Sequence, residues 1–192
     1  MNGTQVDGVI CHMFTVGDCT PYFDHDYQPG KAVLPEKTMS VLTWKGKHNL
    51  QAILDADQDY WALAVEAAHA QNKPFWGAMR FNDGHPGTYG VRSNFCIEHP
   101  EYRLNDRCAY HTHGPDPDGS TPCVHLDFSI PEVRAHQLKL VELLARRYDI
   151  DGFEWDFTRD AWHNFPANKK DRGIDITTAH MRDARDLLNQ IG

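Results

Sequence analysis

The order of hydrophobic and polar positions predicts strands and helices that alternate along the chain. Short apolar runs bounded by Gly, Pro or Asp predict three strands, at 6–13, 75–81 and 151–157. Longer segments with apolar residues at helical spacing predict three helices, at 52–71, 129–148 and 177–191. Strands that alternate with helices indicate an α/β fold with a parallel sheet and right-handed crossovers.

The predicted helices carry local signals for their ends and their packing faces. Pro74 stops the first helix, and Ser129 with Glu132 forms a capping box before the second, with Pro131 in its first turn. The apolar faces expected to pack inward comprise Tyr60, Leu63, Ala64, Ala67 and Ala68; Val133, Leu140, Val141, Leu144 and Tyr148; and Met181, Ala184, Leu187, Leu188 and Ile191.

The connections from strand to helix are long, whereas those from helix to strand are short. Aperiodic segments longer than about 12–15 residues are usually functional or disordered. Here they follow the carboxyl ends of the strands, which form the active-site face of (β/α) barrels and of open α/β sheets. No Gly-x-Gly-x-x-Gly or Walker motif follows a strand, which disfavours a nucleotide-binding sheet.

The number of predicted strands is too small for a closed barrel. A (β/α)₈ barrel typically needs about 250 residues, whereas this chain has 192 residues, with room for a fourth strand at 31–48. We therefore expect residues 1–192 to form a single incomplete α/β domain. It would be a partial TIM (β/α)₈ barrel of about three to four βα units. We expect truncation at the C-terminus and at the N-terminus, with the remaining barrel strands belonging to a parent chain.

Two carboxylates in the third predicted strand are the leading candidates for catalysis. Alternation along the strand puts Glu154 and Asp156 on one face and the aromatic residues around them on the other. Strands of parallel sheets are normally apolar on both faces, so two acids on one face are costly unless they serve a site. Pairs of carboxylates catalyse glycoside hydrolysis, one as acid and the other as nucleophile or base. The alternative is a structural carboxylate paired with an arginine.

Polar residues at and after the ends of the second and third strands are candidates for substrate binding. Arg80 and Asn82 share strand parity, so Arg80 can pair with Glu154 and Asn82 can bind a ligand hydroxyl. Arg80 is alternatively a purely structural counter-ion. The other candidates lie in the loops that follow these strands and are Asp83, His85, Arg159 and Trp162.

Composition narrows the choice of partners. The net charge of −8 disfavours nucleic acid and anionic membranes and suits a neutral ligand better. No segment reaches the roughly 20 apolar residues of a membrane span, and the N-terminus lacks the regions of a signal peptide. The five cysteines form no Cys-x-x-Cys pair, and Cys108 and Cys123 fit either a disulfide or free thiols.

The histidines leave a metal site as an alternative. His111 and His113 share a loop rich in Gly and Pro, and Asp116 and Asp118 follow them. His and Asp are suitable metal ligands, but metal-dependent barrel hydrolases usually place His-x-His on a strand. We therefore predict no metal and no cofactor, with a metal-dependent hydrolase as an alternative. No Gly-x-Ser-x-Gly elbow supports a Ser-His-Asp triad.

Four motifs follow one another along the chain. They are Phe-Trp-Gly-Ala-Met-Arg-Phe-Asn-Asp-Gly-His at 75–85, Glu-His-Pro-Glu-Tyr at 98–102, Leu-Asp-Phe-Ser-Ile-Pro-Glu-Val-Arg at 126–134 and Tyr-Asp-Ile-Asp-Gly-Phe-Glu-Trp-Asp-Phe-Thr-Arg at 148–159. In order and spacing this set resembles a family of glycosyl hydrolase-like (β/α)-barrel proteins, often labelled family-10-like. The resemblance covers most of residues 4–190. It implies a secreted or periplasmic bacterial barrel that hydrolyses an O-glycosidic bond of a carbohydrate.

The third strand also resembles that of chitinase-type barrels, Asp-Gly-x-Asp-x-Asp-x-Glu, in which the last Glu is the general acid. Thr158 occupies that position here, so the acid must be Asp156, Glu154 or a residue on strands outside this chain. We expect Glu154 or Asp156 to be a catalytic carboxylate and Arg80 its electrostatic partner. A non-catalytic carbohydrate-binding barrel, or a fragment that is inactive because half its site is absent, remains an alternative.

Overall fold

The computed structural model describes residues 3, 5–14, 21, 23–33, 45, 48–49, 51–52, 55–56, 58–82, 92–104, 125–157, 165 and 172–192. In this part of the chain, strands and four α-helices form a mixed α/β fold. The strands are β1 (Val9–His12), β2 (Ala32–Val33), β3 (Phe75–Arg80), β4 (Arg92–Ser93) and β5 (Gly152–Asp156). The helices are α1 (Tyr60–His69), α2 (Asn94–Glu98), α3 (Pro131–Arg147) and α4 (Gly173–Ile191).

Three of the strands form a parallel sheet in the order β1-β3-β5. These are the strands that the apolar runs predict, so the α/β class and the parallel sheet are confirmed. β2 and β4 form a separate antiparallel pair. A fourth barrel strand was possible at 31–48; of this region, the described residues include β2, which does not join the parallel sheet.

One face of the parallel sheet packs against the helices and forms the core. Phe75 of β3 lies there with Val65 of α1 and Leu140 of α3, each at most 4% exposed. Helix α3 lies directly on β3, because a Cβ atom at Gly77 would stand only 2.6 Å from Cδ2 of Leu144. Each buried apolar side chain of this size contributes about 1.5–3 kcal/mol to folding.

The opposite face of the sheet is open near the amino-terminal ends of its strands. Ile10 and Trp76 are 54% and 41% exposed, respectively. Trp76 stands beside Gly152 in the register of β3 and β5, and a Cβ atom at Gly152 would come within 3.0 Å of the indole. Glycine at position 152 therefore lets the indole lie against the sheet.

Helix α1 begins later in the chain than the apolar periodicity predicts, and a different face of the helix packs against the core. The side chain of Asp59 caps it by accepting from backbone N–H groups of the first turn at 3.1 and 3.2 Å, so the helix begins at Tyr60. Its buried residues are Val65 and Ala68. Tyr60 and Leu63, which we expected to face inward, are 54% and 53% exposed.

The predicted capping box of α3 is wrong, although the helix itself is confirmed. Ile130 is the N-cap and makes no side-chain cap bond, while proline opens the helix as expected. Asp127 holds the preceding turn instead, because its Oδ1 accepts from the backbone N–H of Ser129 at 2.8 Å. The five inward positions predicted between 133 and 148 are all buried. Helix α4 begins at Gly173 rather than at 177.

Two further findings concern membrane spans and the cysteines. None of the described helices is long and apolar enough to cross a membrane. Cys11 and Cys96 form no disulfide. Cys108 and Cys123, for which a disulfide and free thiols were both open, lie outside the described residues.

Candidate active site

Each strand of the parallel sheet places a titratable or charged side chain on the face opposite the helices. His12 ends β1, Arg80 ends β3, and Glu154 and Asp156 lie on β5. In register, His12 and Glu154 flank Ala78, and Arg80 stands beside Asp156. Because paired positions of parallel strands point to the same side, these four side chains gather near the carboxyl ends of the strands.

Asp156 is the centre of this cluster. It is 8% exposed, and its Oδ2 accepts a hydrogen bond from Nε of Arg80 at 3.0 Å. Nε2 of His12 lies 3.6 Å from the same oxygen. Burial of a carboxylate is costly unless it is paired, and a guanidinium carries a permanent charge, so Arg80 stabilises Asp156 in its ionised form.

Glu154 occupies a different environment from Asp156. The sequence allowed Arg80 to pair with Glu154, but the guanidinium binds the carboxylate of Asp156, which stands opposite it in the register. Glu154 is partly buried beside the small side chain of Ala78. Among the described residues, no hydrogen bond or ion pair engages its carboxylate. The two acids of β5 therefore differ in burial and in pairing, although they share a face.

Asn82 has a structural role that the sequence did not predict. It follows β3 with a φ of 51°, a left-handed conformation that Asn tolerates better than most residues. Its side chain is 3% exposed and clamps the backbone of Leu126, with Nδ2 donating to the carbonyl at 3.0 Å and Oδ1 accepting from the N–H at 2.8 Å. The clamp ties the end of β3 to the segment before α3. A ligand contact by Asn82 stays a prediction.

The other predicted site residues lie in segments that the structure does not describe. They are Asp83, His85, Arg159 and Trp162, together with Thr158 and the loop residues His111, His113, Asp116 and Asp118. Among the described residues, no group of three or more His, Cys, Asp or Glu side chains could hold a metal ion. The roles predicted for the loop residues, including the metal alternative, stay predictions.

His12 is the member of the cluster that the sequence interpretation missed. It lies in the first predicted strand and ends it, as Arg80 ends the next strand of the sheet. A polar residue at the carboxyl end of a predicted parallel strand was therefore an available signal. Its distance to Asp156 could not be predicted, because it depends on the register of three strands that are far apart in the sequence.

A second pair of ionisable groups lies at the opposite, amino-terminal end of the sheet. Oδ2 of Asp151 contacts Nε2 of His69 at 2.8 Å and accepts from the backbone N–H of Phe75 at 2.8 Å. The bond from Phe75 and then the one from His69 lower the pKa of Asp151 below its ordinary value. This carboxylate joins β3, β5 and α1, and at this end of α/β barrels such contacts usually serve stability rather than catalysis.

Comparison with known proteins does not assign the chain to a class. No family model matches it, and no curated protein matches it significantly. The resemblance to glycosyl hydrolase-like barrels therefore stays a prediction that rests on the sequence motifs.

Proposed function

We propose that this chain is part of a (β/α)₈ barrel that hydrolyses an O-glycosidic bond of a carbohydrate. The observation that carries the proposal is the cluster of His12, Arg80, Glu154 and Asp156 at the carboxyl ends of adjacent parallel strands. Enzymes built on (β/α) barrels place their catalytic groups at these strand ends. Two carboxylates on one face are the groups that glycoside hydrolysis needs.

The open face and open edges of the sheet support the incomplete barrel. In the described part of the chain, β1 and β5 each pair on one side only. Ile10 and Trp76 are exposed on the face that a closed barrel would bury. A cleft of about 780 Å³ lies between β5 and α4, lined in part by Phe153, Trp155 and Leu188. Further strands of a parent chain would cover all three features.

The different surroundings of the two carboxylates suggest different roles. Asp156 is bound to Arg80, so it would remain an anion and serve as the nucleophile or stabilise the positive charge of the transition state. Glu154 is not bound by an arginine or lysine in the described part of the chain, so it is better suited to exchange a proton with the leaving group or with water. Thr158 cannot supply the acid that chitinase-type barrels have at that position.

The test is hydrolysis by the parent protein of a panel of 4-nitrophenyl glycosides and polysaccharides. We expect D156N and E154Q each to lower kcat/KM by about 10²–10⁴-fold, the range of a lost acid, base or nucleophile. E66Q is the matched control, because Glu66 is an exposed carboxylate on α1 away from the cluster. Undiminished hydrolysis in both site variants would refute the assignment.

The same experiment separates the alternative functions. A non-catalytic carbohydrate-binding barrel would bind glycans without cleaving them, and the two amide variants would weaken binding only. A metal-dependent hydrolase would contain bound metal after purification and lose activity with a chelator. Activity that survives the chelator in metal-free protein would remove that alternative.

A further inference from the structure

His12 lies in the candidate active site but has no role in the two-carboxylate scheme. Its Nε2 is 3.6 Å from Oδ2 of Asp156, and its side chain is 42% exposed. The same oxygen accepts the hydrogen bond from Nε of Arg80. One carboxylate oxygen therefore faces a permanent cation from β3 and a titratable ring from β1.

The contact crosses the middle strand of the sheet diagonally, because His12 pairs with Ala78 whereas Asp156 pairs with Arg80. Neighbouring strands are about 4.8 Å apart, so β1 and β5 are separated by about 10 Å. The residue between them at the level of His12 is Ala78, which is fully buried and projects only a methyl group. The small side chain of Ala78 leaves room beside the imidazole of His12.

We propose that His12 is a positioning residue for Asp156, and that the protonation of its ring changes the net charge beside that carboxylate and the orientation of the carboxylate. The role in catalysis rests on the proposed function. In the described parallel strands, the charged groups that share this face with His12 are Arg80 on β3 and Glu154 and Asp156 on β5. Val65 of α1 and Leu140 of α3 pack in the core on the other face of the sheet.

The proposal predicts a direction for the pH dependence of catalysis. A protonated His12 adds a second positive charge beside Asp156 and weakens the ability of its carboxylate to stabilise a positively charged transition state. Loss of the proton removes this opposition, so kcat should rise with pH while KM changes little. We expect the rise to be about two- to fivefold, the size appropriate to a partly exposed charge pair.

The test is an NMR titration of the 192-residue chain, which does not depend on a substrate. The ¹³Cγ shift of Asp156 and the ¹³Cε1 shift of His12 are followed against pH in the wild-type chain. We expect the Asp156 signal to show an inflection at the same pH as the His12 ring, and H12Q to abolish it. H69Q is the control, because His69 pairs with Asp151 at the other end of the sheet and should leave the inflection unchanged.

Each result bears on one of the two proposals. The role of His12 is overturned if the Asp156 signal shows no inflection at the pH at which the His12 signal changes. It is also overturned if the inflection persists in H12Q. If H12Q does not fold, H12N replaces it, and folding is checked by circular dichroism.

In the parent protein, H12Q should also remove the rise of kcat with pH. If no glycoside is cleaved, the proposed function fails, while the NMR titration still decides whether His12 controls Asp156.

Discussion

Two histidines are buried in aromatic surroundings away from the candidate site. The ring of His136 stacks on Phe95 with centroids 3.9 Å apart and planes 3° apart. His180 lies against Trp155 and Phe128 at centroid distances of 5.3 and 5.9 Å. Burial lowers the pKa of His136 to about 3, with a smaller effect of His99. Burial, and then Arg134, lower the pKa of His180 to about 4.

These residues predict that the fold loses stability in mild acid. In the unfolded chain both rings titrate near pH 6.5, so between about pH 6.5 and 4 the unfolded state binds more protons than the folded state. The free energy of unfolding therefore falls as the pH is lowered through this window. At pH 5 each ring accounts for a loss of about 2 kcal/mol relative to pH 7, at about 1.4 kcal/mol per pH unit. Urea unfolding at the two pH values measures the loss.

The variant that tests this prediction is H180F, which keeps an aromatic ring among the aromatic neighbours of position 180 and removes the titrating group. It should reduce the loss between pH 7 and pH 5 by about half. An unchanged loss in H180F would show that His180 is not kept neutral by the fold.

At the scale of elements, Asp59 joins the start of α1 to the end of α3. It caps α1, and its Oδ2 accepts from Nη2 of Arg147 at 2.8 Å. The hydroxyl of Tyr148 donates to its Oδ1 at 3.0 Å. This cap explains why α1 begins at Tyr60, although the apolar periodicity extends further toward the N-terminus. A single side chain therefore sets both a helix boundary and a contact between two helices.

Substitutions of Asp59 separate these two contributions. We expect D59A to lower the free energy of unfolding by about 1–2 kcal/mol, mainly through loss of the cap. D59N should cost less, because Asn also caps helices and only the charge opposite Arg147 is lost, which in a partly exposed pair is worth about 0.2–1 kcal/mol. Urea denaturation of the two variants measures the difference, and equal losses would assign the effect to the ion pair instead.

At the scale of the whole molecule, the sheet has one face packed against helices and one face that carries the candidate active site. The packed face depends on the close approach of α3 to β3 at Gly77. The other face carries His12, Arg80, Glu154 and Asp156 at its carboxyl end. The register of the strands determines which of these side chains meet.

Gly77 therefore offers a test of the packing that supports the site. A methyl group at this position would stand 2.6 Å from Cδ2 of Leu144, so α3 or β3 must shift. We expect G77A to lower the free energy of unfolding by about 1–3 kcal/mol, the usual cost of overpacking. In an L144A background, which removes the opposing methyl groups, G77A should cost much less. Thermal and urea unfolding of the four proteins of this cycle measure the coupling, and additive losses would contradict it.

The sequence by itself determined the three parallel strands, the existence of their helices, and the placement of charged residues at the carboxyl ends of the strands. These features are local, because apolar periodicity and strand alternation depend on near neighbours in the chain. The boundaries of the helices, and the helix faces that pack against the core, were less predictable from the sequence. The alanine-rich stretch around Leu63 is apolar on more than one side, so its own pattern could not select the side that packs.

Only the tertiary structure decided which charged groups meet. Arg80 binds Asp156 because the register of β3 and β5 sets these two residues opposite each other. His12 reaches the same carboxylate diagonally across the middle strand, where His12 pairs with Ala78 and Asp156 pairs with Arg80. Asn82 closes on Leu126 because the chain returns to the end of β3 before α3. Each of these contacts joins residues that are distant in sequence, so it depends on strand register and packing that no local pattern specifies.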